Sequence, residues 1–228
     1  METLNIKDTL SIMNLGSEAQ TQFSGLSECA FGFLRNSNLE QVGEMLSEML
    51  DFFRDSSEKT TVQKEKMCAE VDAMKEQLDE YHVRMIMDCE ALATFRGMNK
   101  NYNEELSEAI KIGKEALPDL MNDTDSDVRN RYSALEKRIK ELELTQAVCS
   151  SFEAQMAVVQ ANEAQMADRI QSTLVNALSM WKSRLVIEEQ AGKAVDAKNA
   201  ELMQSINEVL QLQRQGVMSA EEVVGEKN

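Results

Sequence analysis

The chain has 228 residues, of which 43% are apolar and 5% aromatic, with one proline and nine glycines. Sheets and tight turns need Gly/Pro punctuation and β-branched or aromatic runs, so this composition excludes an all-β or alternating β/α domain and favours helix. The 40 acidic residues against 24 basic ones give a formal charge of −16, a field that repels phosphate backbones and anionic lipid and disfavours nucleic acid as a partner.

A first helical region is predicted from about Lys7 to Arg35, interrupted or bent near Gly16 and Gly25, where glycine costs about 1 kcal/mol against alanine. Asn36-Ser37-Asn38 is a break. Asn38 followed three residues later by Gln41 resembles a capping box and starts a second helix that runs to about Arg54. Val42, Leu46, Met49, Leu50 and Phe53 form its apolar side, and Asp55-Ser56-Ser57 is the next corner.

The third segment carries the strongest pattern. Alternating steps of three and four residues visit Val71, Met74, Leu78, Tyr81, Met85, Asp88, Leu92 and Phe95, then Asn99, Tyr102, Leu106, Ala109, Gly113 and Ala116. Only Asp88, Asn99 and Gly113 are not apolar, so the stripe reads as a coiled-coil seam. At 1.5 Å per residue it predicts a rod roughly 70 Å long that needs a partner helix. Gly97 is a place for a bend. Leu117-Pro118 should end the helix, because proline disfavours α geometry in the residue before it.

Asn122 to Asp127 reads as a polar loop. A fourth helix follows, with Leu135, Ile139, Leu142, Val148 or Cys149, Phe152, Met156 and Val159 on one face, and near Asn162 it either breaks or continues. The last helix repeats the seam at Leu174, Leu178, Trp181, Leu185, Glu188, Gly192, Val195, Asn199, Leu202, Ile206 and Val209. An acidic tail from Glu221 to Asn228 is expected to fray. The expected architecture is an all-α, elongated antiparallel helical bundle with long coiled-coil-like helices. Residues 1–57 would hold short helices, 58–117 the long coiled-coil helix, 118–216 the C-terminal long helices of the same bundle, and 217–228 the tail.

Chemistry-bearing residues are sparse. Asp123, Asp125 and Asp127 alternate as a calcium loop does, but Val128 stands where that loop needs glycine and Ala134 where it needs glutamate. Asp127 as a helix cap is the better reading. His82 is the lone histidine, and Cys89 lies two helical turns away, beyond proton-transfer reach. The cysteines (Cys29, Cys68, Cys89, Cys149) are too scattered for a zinc site or a disulfide framework and read as reduced, packed thiols. Arg129, Arg131, Lys137, Arg138 and Lys140 form the one basic stretch, interleaved with Glu136, Glu141 and Glu143. It is either a solvated face with i,i+4 ion pairs or a docking site for an acidic partner or oxyanion. The polar seam residues Asp88, Asn99, Glu188 and Asn199 either set register or mark where the seam leaves the core. No catalytic group, cofactor or metal set stands out, so no cofactor is expected. No apolar run approaches the roughly 20 residues that span a bilayer, and Met1 to Leu10 lacks the order of a secretion signal. A cytoplasmic protein without stable membrane insertion is expected.

Several strings resemble the toxic anion resistance family, the TelA-like tellurite-resistance proteins. They include Leu135-Glu136-Lys137-Arg138-Ile139-Lys140-Glu141-Leu142-Glu143-Leu144-Thr145 and Val159-Gln160-Ala161-Asn162. The run from Asp168 through Ile170, Gln171, Ser172, Asn176, Trp181 and Lys182 is similar to the family's "KIQSSILNTIPLWKNQ". Asn14 to Gln20, Leu39 to Leu46 and Ile110 to Gly113 fit other family stretches, so the likeness covers roughly Leu10 to Leu212. Three departures stand out. Ser179 replaces a frequent proline, Gln146 replaces a basic residue, and Cys149-Ser150-Ser151 replaces a turn, which would let two helices fuse. The chain is shorter than typical members, as a reduced relative from a mobile element or phage would be.

The resemblance implies a cytoplasmic helical protein tied to resistance against tellurite and related stresses, without an agreed catalytic mechanism. The expected function is a non-enzymatic scaffold or adaptor acting through protein–protein contacts in a bacterial or phage stress or defence response. Alternatives are an oxyanion-binding or thiol-based tellurite-detoxifying protein, and a homo-oligomeric structural protein whose seams pair between copies.

Overall fold

The structure is a computed structural model that describes residues 4–35, 39–55, 61–121, 127–187 and 194–225. The expected break at Asn36-Ser37-Asn38, the corner at Ser56-Ser57, Asp123 and Asp125, Glu188 and Gly192, and the tail from Glu226 lie outside these residues. So do the side chains of Leu185, Val195 and Asn199. Among the described residues there is no strand. The helices are α1 (Thr9–Asn14), α2 (Ser17–Arg35), α3 (Leu39–Asp55), α4 (Thr61–Met121) and α5 (Val128–Arg169). A π-helical segment (Ile170–Val175), α6 (Asn176–Ile187) and α7 (Ala194–Gly225) complete the order. They pack as a helical bundle in two compact units, Met1–Phe33 with Ala93–Ala157 and Leu34–Leu92 with Val158–Asn228.

In the first unit the chain turns sharply between α1 and α2. Asp8 caps α1 by accepting the Leu10 N–H at 3.0 Å, and Gly16 then takes a left-handed φ of 66°. A Cβ there would sit 3.0 Å from both Ala109 and Leu142, so the turn requires glycine for its backbone and for the close approach of α4 and α5. Arg138 Nε donates to the Leu15 carbonyl at 2.9 Å, and Gln20 Nε2 donates to Thr145 Oγ1 at 3.0 Å. Gly25 lies inside an unbroken α2. α4 and α5 are antiparallel here, as two contacts show: Arg96 pairs with Glu153 at 2.8 Å and Lys114 with Glu143 at 2.6 Å. The stripe residues Leu106 and Ala109 of α4 and Leu135, Ile139, Leu142 and Phe152 of α5 are all buried. Cys149 is fully buried and Val148 is 56% exposed, so Cys149 occupies the stripe. Phe152 also meets Phe23 and Phe31 edge-on, at 6.0 and 5.7 Å between ring centroids.

In the second unit, α3 runs antiparallel to α7. Gln213 Nε2 donates to the Leu39 carbonyl at 2.8 Å, passing over Gly43, where a Cβ would lie 2.7 Å from that amide nitrogen. Val42, Leu46, Met49 and Phe53 of α3 share one core with Val71, Leu78 and Met85 of α4. Leu174, Leu178 and Trp181 join it from the π segment and α6, and Leu202, Ile206 and Val209 from α7. Phe53 and Trp181 stack edge-on at 5.1 Å, a geometry worth about 1 kcal/mol beyond area burial.

Three expectations about helix continuity are corrected. α4 does not stop at Leu117 but continues through Pro118 to Met121. The ring removes one ladder bond near a helix end, where carbonyls already lack partners, and Leu120, fully buried, holds the extra turn. The last seam is not one rod. Arg169 lies 3.6 Å from Glu208, whereas a continuous helix would separate them by about 60 Å, so α7 doubles back along the π segment and α6. α7 is helical to Gly225, into the stretch expected to fray, with Ala220 buried. α5 passes both Cys149-Ser150-Ser151 and Asn162 without a break, as fusion of two helices requires.

Gly16→Ala should lower stability by about 1–3 kcal/mol, combining left-handed strain with overpacking against Ala109 and Leu142. The urea midpoint measures this, and an unchanged midpoint would remove Gly16 as the pivot of the first unit.

Candidate functional site

The stripe on α5 does not end at Val159. Its alternating steps continue through Glu163 to Met166 and Ile170, all buried, so a carboxylic acid occupies a core position. The antiparallel register sets it opposite the part of α4 that carries the other acidic interruption, Asp88. Both belong to the second unit. Beside them, Gln160 Nε2 donates to the Cys89 carbonyl at 3.0 Å, and the Cys89 thiol donates to the Gln160 carbonyl at 3.7 Å. This reciprocal pair ties the two backbones together.

Glu163 is 1% exposed, and its Oε2 has no hydrogen-bond partner. Burial, with a smaller contribution from the Asp88 carboxylate, pushes its carboxyl up to about 8. Near neutral pH it is therefore largely protonated and uncharged. Asp88 is also raised by burial, with Arg84 opposing the shift. Burial first, then the charges of Glu163 and Asp88, push the Cys89 thiol up to about 11. In the first unit, burial pushes Cys149 up to about 12. Thiols held this high are poor nucleophiles and poor metal ligands at neutral pH, because the thiolate is the reactive form. Cys29 is exposed and Cys68 partly so. Among the described residues no three His, Cys, Asp or Glu side chains gather as a metal ion would require. Cys89 faces a backbone carbonyl across the helix pair.

Asn99, the other polar interruption of the α4 stripe, lies in the first unit. It is buried, and its Nδ2 donates to the Cys149 carbonyl at 3.0 Å. A directed bond at a seam position fixes which residues face each other, so here the register-setting alternative applies.

The family-like stretch falls on the end of α5, the π segment and α6. Ile170, Leu174, Leu178 and Trp181 point into the core, while Gln171, Ser172 and Asn176 are exposed on the other side. Ser172 Oγ donates to the Asp168 carbonyl at 2.6 Å, Asn176 Nδ2 to the Ser172 carbonyl at 2.9 Å, and Ser179 Oγ to the Val175 carbonyl at 2.9 Å. Short side chains that reach the carbonyl four residues back loosen and bend a helix, and here they lie in and just after the π-helical segment. Lys182 closes the stretch with an ion pair to Asp72 of α4. Asn162 lies against the Gly216 backbone of α7, and Gln160 is the residue locked to Cys89.

The basic stretch does not present five free cations. Arg131 is buried, and Arg138 turns inward to Leu15 and Glu141. Lys137 and Lys140 pair along the helix with Glu141 and Glu136, at 3.7 and 3.0 Å. Arg129 is exposed. Asp127 directly precedes α5, and its carbonyl accepts the Asn130 and Arg131 N–H groups at 3.1 Å.

The sequence profile of the family described as toxic anion resistance protein (TelA) matches residues 49–209, which covers α4, α5, the π segment and α6 entirely, with the end of α3 and the first half of α7. The chain belongs to the toxic anion resistance (TelA) family. Similar curated proteins are the TelA-like proteins SAV1406, SA1238 and SAUSA300_1299 of Staphylococcus aureus strains Mu50, N315 and USA300. Each is 22% identical over 226 residues, covering 81% of this chain and 60% of the relative. This TelA-family chain thus spans about 60% of the length of the curated relatives it matches. No solved structure matches it. No helix among its described residues is long and apolar enough to cross a membrane.

Between the ordinary carboxyl range and about pH 8, the native protein holds a proton on Glu163 that the unfolded chain releases. Stability is full at the acidic end of that window and is lost as pH rises through it, by an amount on the order of a few kcal/mol. Glu163→Gln should flatten this dependence and raise the melting temperature above pH 8. Parallel pH–stability curves for the parent and the variant would show instead that Glu163 is not held neutral.

Proposed function

We propose that this chain is a non-enzymatic helical scaffold or adaptor of the toxic anion resistance family, working through protein contacts in a bacterial or phage stress or defence response. The observation that carries this reading is the state of the groups that could do chemistry. Glu163 and Cys149 are buried and Cys89 is half-buried, and all three are held toward their neutral forms, which favours holding a bundle together over attacking a substrate. Family membership supplies the context of toxic-anion resistance. Exposed apolar side chains on α4 (Val83, Ile86, Met87) and on α5 (Leu144, Val148) offer contact area.

The alternative, direct handling of an oxyanion or its reduction by a thiol, rests on exposed Cys29 and exposed Arg129. Two variants divide the readings: replacement of all four cysteines (Cys29→Ser, Cys68→Ser, Cys89→Ala, Cys149→Ala), and Arg129→Ala with Lys137→Ala and Lys140→Ala. In bacteria made tellurite-resistant by this chain, the scaffold reading expects both variants to retain resistance at matched protein levels. Loss of resistance with Cys29→Ser alone would establish thiol chemistry and overturn the scaffold reading. Loss with the cation variant alone would favour anion binding. Light scattering of the purified chain measures whether a second copy is itself the partner.

A further inference from the structure

In the first unit, a groove of about 420 Å³ runs between the start of α2 and the C-terminal third of α4. Its origin is local. The left-handed Gly16 brings α2 hard against α4 at Ala109, and beyond that point the facing residues are small, so Ala19 and Ala109 leave a channel unfilled. Leu15, Ala19 and Ala109, each at most 7% exposed, close its bottom, half-buried Ile112 opens into it, and Glu18, Glu105 and Glu108 line it as exposed carboxylates. Glu108 pairs with Lys111 at 3.6 Å on its own helix. Immediately before Leu15, α1 exposes Leu10 (67%) and Met13 (59%), one turn apart. An apolar trough bordered by carboxylates and continued by two uncovered aliphatic side chains presents a hydrophobic stripe flanked by negative charge.

We propose that this groove is a docking site for a basic amphipathic helix of a partner protein, with aliphatic anchors against Ile112, Leu10 and Met13 and lysines or arginines against Glu18, Glu105 and Glu108. Charge complementarity selects the occupant. An acidic or neutral helix would meet three carboxylates, whereas a basic one is drawn toward a chain of formal charge −16 and finds matching charges at the rim. A second copy of this chain is disfavoured by the same charge, and by the inward turn of Arg131 and Arg138 in its one basic stretch. The assignment rests on the scaffold reading and adds the site and the chemistry of the partner.

The probe is a fluorescently labelled leucine–lysine peptide of about 15 residues with leucines on one helical face. It is titrated by anisotropy against the full chain at physiological salt, where surface charges are screened beyond about 8 Å. Glu18→Lys with Glu105→Lys and Glu108→Lys should weaken binding at least about tenfold, while the control Glu40→Lys, Glu48→Lys and Glu76→Lys changes it less than about threefold. Circular dichroism confirms that both variants keep their helix. Hydrogen-exchange protection on binding should concentrate at residues 10–22 and 105–112. Equal losses in the two variants, or protection spread over the whole chain, would reduce the effect to general electrostatics and overturn the site. Self-association abolished by the groove variant would assign the groove to a second copy and overturn the basic partner. If a cellular partner binds the groove variant undiminished, the groove assignment fails while the scaffold reading stands. The cysteine and cation variants test that reading separately.

Discussion

Burial of the α4 stripe by α5 is the constraint from which the rest follows. A helix of 61 residues with an apolar residue at nearly every third or fourth position cannot remain alone in water, because each buried leucine is worth about 2 kcal/mol that an isolated helix would forgo. Antiparallel pairing with α5, continued by the π segment and α6 along the start of α4, satisfies the stripe, and the remaining helices then cover what is left open. α2 does so in the first unit, and α3 and α7 do so in the second. Each polar residue on the stripe must settle its own electrostatics inside this packing. Asn99 does so in part, its Nδ2 bonded and its Oδ1 left without a partner, and Glu163 does so by keeping its proton.

How much of this was legible in the sequence depends on the kind of signal. The α4 stripe was readable because its period is long and regular, and Leu78, Leu92 and Leu106 are fully buried. The second seam carried the same arithmetic yet misled. Heptad phase can persist by chance across a reversal, and spacing alone does not record that the chain has turned back. Arg169 beside Glu208 is three-dimensional information. Pro118 misled for the opposite reason. A strong local rule was outweighed by one buried leucine two residues later.

The candidate site was half visible. Asp88 stood out as an interruption of a recognised stripe. Glu163 was missed because the α5 stripe was followed only to Val159, and one more step would have placed an acid in the core. The π segment had no signature in periodicity, since it shifts the ladder by one residue and leaves Ile170, Leu174 and Leu178 facing inward. Ser172, Asn176 and Ser179, spaced by four and three residues, were the available hint. The family strings marked this same stretch on other grounds, and its exposed polar side is a separate surface from the groove of the first unit.

The bond from Gln213 to the Leu39 carbonyl joins residues 174 positions apart, and its consequence is temporal. On a ribosome, α3 emerges with Val42, Leu46, Met49 and Phe53 along one side, while α7, which covers them, is made well over a hundred residues later. Contacts of such large sequence separation form late, and until then that aliphatic face is open to solvent and to other nascent chains. The second unit therefore spends most of its synthesis without its closing helix. Premature termination before residue 200 would leave a sticky fragment where a shortened protein might have been expected.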